Sequence, residues 1–209
     1  MVAILLERRL THRQAQLRDA LVDLVLEQGF SHLTMDQFAA QLNCSKRTLY
    51  ALASSKEQLA VLAVRHFFKR ATDQVEAAIA HTRAPAKRVA RYLEAVAEAL
   101  RPASRAFRDD IAHFRPATEI YEQNTLAAAK RVRELIDEGT QAGAFRRVHA
   151  AFVGEAVTAT MRRITSGEIT TATGLSDKRL PTNQGLTMLL SNAWISMNIA
   201  AGASIVLAV

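Results

Sequence analysis

The sequence predicts an all-α protein: an N-terminal three-helix module of the helix-turn-helix type, followed by a larger C-terminal helical bundle. Three observations carry that prediction. Apolar residues recur at i, i+3 and i+4 along most of the chain, the spacing of one helix face. Only four Pro and eight Gly occur in 209 residues, so long helices go uninterrupted. No run keeps the period-two alternation of a half-buried strand for long. The expected domains are residues 1–54 and residues 55–209.

Met1 to Arg9 opens with a short apolar run and then charge, the reverse of a secretory signal, and reads as a frayed or helical leader, the alternative being a basic arm in which Arg8, Arg9 and Arg13 reach the DNA backbone. The first helix opens at Thr11, whose hydroxyl can cap free N–H groups, and Gly29 ends it. Leu17, Ala20, Leu21, Leu24 and Val25 share one face, with Phe30 and Leu33 beneath the module. The second helix starts at Thr34, which with Gln37 has the form of a capping box. Its apolar positions are Met35, Phe38, Ala39 and Leu42. Asn43 tolerates the left-handed conformation that opens a tight turn. Ser45 then caps a third short helix, Lys46 to Leu52, with Leu49 and Leu52 apolar and Lys46, Arg47, Thr48 and Tyr50 on the other faces. Two short helices joined by such a turn are the motif whose second helix enters the DNA major groove.

A fourth and much longer helix is expected from Ser55, paired with Gln58 as a further capping box, to about His81. Leu59, Leu62, Ala63, Phe67, Ala71, Val75 and Ala78 mark its buried face. Such a helix can belong to both halves of the protein. Pro85 suits the first turn of the fifth helix, which buries Val89, Leu93, Val96, Ala97 and Leu100 before Pro102. A short sixth helix carries Phe107, Ile111 and Phe114 and ends near Pro116. The seventh shows Ala128, Val132, Leu135, Ile136 and Gly139, and Gly143 terminates it. Val153, Ala156, Val157, Thr160, Met161 and Ile164 make an eighth helix. Residues 165 to 185, rich in Thr, Ser and Gly, read as a loop before a ninth with Leu186, Leu189, Leu190, Ala193, Trp194 and Met197. The apolar tail, Ala200 to Val209, is shorter than the roughly 20 residues that span a bilayer.

Apolar residues are 49% and charged residues 22% of the chain, the balance of a soluble globular protein. The lone cysteine, Cys44, has no partner for an internal disulfide, which fits a reducing cytoplasm. It reads as a small buried hydrophobe. The net charge of +7 is less informative than its placement, since residues 1–60 hold seven Lys/Arg against six Asp/Glu. Between Asp36 and Glu57, however, every charge is positive: Lys46, Arg47 and Lys56. Phosphate neutralisation needs charge placed in that way, at a contact surface.

The run from Thr34 to Leu59 resembles the DNA-binding signature of the TetR family of bacterial transcriptional regulators. Thr34, Phe38-Ala39, Ser45, Thr48-Leu49-Tyr50 and Ser55-Lys56-Glu57 stand at that family's spacing. The chain departs from the pattern at Asn43, where Gly is usual, and at Leu52-Ala53, where His-Phe is usual. The missing His takes away one phosphate contact, and the missing Phe some packing under the recognition helix. The resemblance implies that Thr34, Tyr50 and Lys56 hold the phosphate backbone and that Ser45, Lys46, Arg47 and Thr48 face the groove. It also implies a palindromic double-stranded operator, a repressor acting as a homodimer, and an effector-binding and dimerisation domain after residue 54. In the family the last two helices pair with their copies, which points to Ala156, Thr160, Leu189, Ala193 and Trp194 as the dimer surface.

A small-molecule effector site needs apolar walls with a few polar groups. Phe67, Tyr92, Phe107, His113, Phe114 and Tyr121 are the candidates, and an apolar or amphipathic effector is the expectation. Aromatic residues at helical spacing also make ordinary core. The six His show no paired ligand spacing, so no metal or other cofactor is expected. Asp109-Asp110 with His113 is the nearest approach to a catalytic cluster and reads as the polar face of a short helix. No enzyme and no membrane partner is expected. The competing reading is a helical small-molecule-binding protein whose helix-turn-helix has degenerated.

Overall fold

The computed structural model describes residues 11–145, with Ala159 and Arg163 beyond them. Seven α-helices and no strand occur among the described residues. The expected eighth and ninth helices lie outside them. The chain divides into two units, Met1–Phe68 with Ala103–Ile120 and Lys69–Pro102 with Tyr121–Val209.

In the first unit, α1 (His12–Gln28) begins on a full capping box: Thr11 Oγ1 accepts from the Gln14 N–H while Gln14 Oε1 accepts from the Thr11 N–H. Leu21, Val22, Val25 and Leu26 are its buried residues, whereas Ala20 is exposed and Leu17 and Leu24 are half-buried. The inward face is therefore turned from the predicted stripe. The reason is α6 (Arg105–His113), which packs on α1, and the Ser104 N–H ahead of it donates to the Leu26 carbonyl at 2.9 Å. A local reading of α1 contains no information about a partner some eighty residues away.

The short α2 (Met35–Gln41) repeats the capping box with Thr34 and Gln37. Asn43 sits at φ 48°, with its N–H on the Ala40 carbonyl and the Cys44 N–H on the Ala39 carbonyl. That is the Schellman arrangement, built on Asn where Gly is the usual choice. Ser45 then caps α3 (Lys46–Leu52) by accepting from the Thr48 N–H at 3.1 Å.

α4 (Lys56–Ile79) is the long helix shared by the two units. Ser55 Oγ accepts from the Gln58 N–H, but the Gln58 side chain returns to Ser54, taking its N–H at 3.2 Å and its hydroxyl at 2.7 Å. The predicted capping box is thus half formed on Ser55. Within the first unit Phe67 is 3% and Phe107 1% exposed, and their rings meet edge to face at 5.6 Å.

In the second unit, α5 (Pro85–Leu100) starts with Pro85 in its first turn, where the absent N–H costs nothing. Its buried residues are Val89, Tyr92, Ala95, Ala97 and Ala99, with Leu93 and Val96 only partly buried against the cluster. The alanines let α5 approach Ala71, Val75 and Ile79 of α4 and Val132, Leu135 and Ile136 of α7 (Arg115–Gln141). Pro116 lies in the first turn of α7 rather than at the end of α6. Arg131 pairs with Glu76 at 2.9 and 3.2 Å and with Glu134, and Arg88 with Glu138, tying the three helices at their polar edges. A second Schellman motif at Gly143 (φ 70°) closes α7 and folds Phe145 against Gly139, where a Cβ would collide with the ring.

Candidate nucleic-acid interface

The surface around α3 is built from the helix start outward. Leu49 is fully buried, so it fixes the rotation of α3 about its axis. Ser45, Lys46, Arg47 and Tyr50 are exposed in consequence, Tyr50 by 51%, and Thr48 is half-buried with its hydroxyl 2.8 Å from Ser45 Oγ. Thr34 is exposed at the start of α2, and Lys56 is half-buried at the start of α4. Those seven residues cover every position at which DNA contact is expected, and all belong to the first unit.

Two of the cations have protein partners. Lys46 Nζ lies 2.5 Å from Asp36 Oδ1 in the first turn of α2, an exposed pair that leaves most of the lysine in water. Lys56 Nζ donates to the Ser31 carbonyl at 2.5 Å. Arg47 has no hydrogen-bond or ion-pair partner among the described residues, so its guanidinium is available for bidentate recognition of phosphate or a guanine edge. Cys44, in the turn, is half-buried, and burial pushes its thiol up despite the Arg13 charge, so it stays protonated at neutral pH.

Asp110 enters the site unannounced by the local sequence. It lies on α6, yet its carboxylate accepts from the Phe30 N–H, the Ser31 N–H (2.9 Å) and the Ser31 hydroxyl. Partial burial pushes the carboxyl up, but these bonds outweigh it and hold the group below the usual carboxylate range. Its contribution to stability is therefore complete at neutral pH and is lost as the pH falls through the lowered value. Asp109-Asp110 read as the solvated face of a short helix. Of the two only Asp109 is exposed, because Asp110 faces the turn after α1. The clue available to the sequence was a turn, Gly29-Phe30-Ser31, with two free N–H groups and no local acceptor.

The candidate effector residues fall into both units. Phe67 and Phe107 pair in the first, and Phe114 meets Phe30 at 5.7 Å. His113 is exposed, with Nδ1 2.7 Å from the Asp109 carbonyl oxygen. Tyr121 is half-buried in the second unit, where Tyr92 is 5% exposed. Burial, then the Glu76 charge, pushes the Tyr92 phenol up to about 12, so it remains a neutral hydroxyl. Ala156, Thr160, Leu189, Ala193 and Trp194 lie outside the described residues.

Residues 17–63 match the model of the bacterial regulatory proteins, tetR family. No curated protein matches the chain by sequence. Among solved structures, a transcriptional regulator from Cytophaga hutchinsonii is similar with a TM-score of 0.74 at 12% identity, over 90% of this chain and 99% of that one. The TetR-family regulator PfmR from Thermus thermophilus aligns with a TM-score of 0.56 at 18% identity, over 84% and 94% of the two chains. FadR from Bacillus subtilis, solved in complex with stearoyl-CoA, aligns at 0.62 with 14% identity, over 85% and 95%. At these identities the likeness is one of fold.

Proposed function

We infer that this chain, whose residues 17–63 match the model of the bacterial regulatory proteins, tetR family, is a ligand-responsive transcriptional repressor that binds a palindromic operator as a dimer. The observation that carries the reading is the start of α3: Leu49 buried beneath it, and Ser45, Lys46, Arg47 and Tyr50 exposed around it. A short helix held by its apolar side and presenting its N-terminal residues outward is what a major groove accepts. Thr34, Tyr50 and Lys56 serve as phosphate contacts, and Lys46, Arg47 and Thr48 as the groove-facing set.

The dimer forms through the segment beyond the described residues, with Ala156, Thr160, Leu189, Ala193 and Trp194 at the contact. Isologous pairing gives two recognition helices for two half-sites about 34–36 Å apart. The effector is a small apolar or amphipathic molecule bound in the C-terminal bundle. Stearoyl-CoA, bound by the Bacillus subtilis FadR structure, is an example of that chemistry on the same fold. Because α4 is shared by both units, effector binding is transmitted along it, and a coupling of about 1–3 kcal/mol would suffice for release.

Variants separate the two kinds of contact. Arg47→Ala is expected to relax sequence preference, losing about 1–3 kcal/mol on the preferred duplex and little on others. Lys56→Ala is expected to weaken binding to all duplexes alike and to reduce the slope of log affinity against log salt by about 1. Competition titrations at several salt concentrations measure both. Unchanged affinity in both variants would remove these residues from the interface and favour a helical ligand-binding protein with a degenerate helix-turn-helix.

A further inference from the structure

We propose that Asp110 is a positioning residue of the DNA interface: from α6, outside the helix-turn-helix, it holds the Lys56 ammonium in place through the backbone of Ser31. The inference rests on the reading of Lys56 as a phosphate contact. All the groups involved belong to the first unit.

The path is short and continuous. Asp110 accepts three hydrogen bonds from two adjacent residues, the N–H groups of Phe30 and Ser31 and the Ser31 hydroxyl. Three bonds to one carboxylate fix the peptide that precedes Ser31, and the Ser31 side chain, in position. The Ser31 carbonyl, on the other side of the residue, accepts from Lys56 Nζ at 2.5 Å. The Ser31 N–H and C=O belong to adjacent peptide groups joined at one Cα, so fixing the first restricts the directions in which the second can point. The turn is brought onto α6 by Gly29, where a Cβ would lie 2.5 Å from Asp110 Oδ2 and 3.2 Å from the Ala106 carbonyl carbon. Only a residue without a side chain lets the two backbones approach so closely.

The consequence for binding is one of preorganisation. A lysine has a flexible four-carbon stem, and ordering it at the moment of contact opposes affinity. Here one of its three donors is already engaged on the Ser31 carbonyl, while the other two remain for phosphate oxygens. Released from Asp110, the Ser31 carbonyl loses its fixed direction and the ammonium its anchor.

The test is a double-mutant cycle of Asp110→Ala and Lys56→Ala on full-length protein, with mixed-sequence duplex DNA as the probe and folding checked by circular dichroism. In the wild-type background Asp110→Ala is expected to weaken duplex binding roughly fivefold and to flatten its salt dependence. In the Lys56→Ala background the same change is expected to have no further effect. Asp110→Asn, whose carboxamide oxygen still accepts from both N–H groups, is expected to retain most of the affinity. If Asp110→Ala does not fold, Ser31→Ala removes one bond of the three and is read in the same way, with about a twofold loss. Equal losses in both backgrounds, or no loss in either, would overturn the inference while leaving the DNA reading intact. Absence of salt-dependent retention by the wild-type protein would overturn both.

Discussion

Replacing Phe38 with alanine is expected to lower the stability of the protein by about 3–5 kcal/mol. Phe38 is fully buried in α2, a helix of only seven residues. So short a helix is not stable by its own hydrogen bonds and depends on the apolar surface it covers. Alanine withdraws a phenyl ring from that surface and leaves a cavity in a unit whose other core side chains, Leu21, Leu33 and Leu49 among them, are already almost without exposure. Since whole domains are stable by about 5–15 kcal/mol, the loss is a large part of the total. Urea unfolding, read as a change in midpoint at unchanged slope, measures it. A shift worth less than about 1 kcal/mol would mean that Phe38 is not the anchor of the module.

The second large effect is expected at Gly29. Its backbone, at φ 80° and ψ −172°, lies in a region essentially reserved for glycine. Alanine there carries about 1–3 kcal/mol of backbone strain. The added methyl also overlaps Asp110 Oδ2 and approaches the Ala106 backbone, an overpacking worth a further 1–3 kcal/mol or so. We therefore expect Gly29→Ala to destabilise by about 2–6 kcal/mol and to speed amide exchange at Phe30 and Ser31. Exchange measured residue by residue distinguishes this from a general loosening. Wild-type protection at those two amides would contradict the close approach of the turn to α6.

These two sites also show what a sequence reader can and cannot extract. Thr11, Thr34 and Ser45 were legible as helix caps because the groups they satisfy lie three residues away. Asn43 was legible as the turn residue because its conformation is a property of its own short polar side chain. The seven expected DNA contacts follow from the same local logic, together with the resemblance that assigned them roles. Gly29 was legible as a helix terminator, but its confinement against Asp110 was not, because that contact spans about eighty residues. The inward face of α1 differs from its local stripe for the same reason: α6 packs on α1, and Val22 and Leu26 are buried where no local pattern records a partner. In α5 the periodicity gave weight to Leu93 and Val96, whereas small Ala95 and Ala99 enter the core because a close helix approach needs small side chains. The aromatic residues expected at an effector site are legible as apolar side chains. Whether an apolar ring packs on another, as Phe67 does on Phe107, depends on which helices meet.

The most direct test of a dimeric DNA-binding regulator is selection of bound sequences from a random duplex library, performed at two salt concentrations. The expected result is enrichment of an inverted repeat whose half-site centres lie one helical turn, or a multiple of it, apart. Affinity for that repeat is expected to fall steeply as salt rises, through displacement of counterions by Lys46, Arg47 and Lys56. Folded, dimeric protein that enriches no sequence and shows no salt-dependent retention would contradict the reading as a DNA-binding regulator.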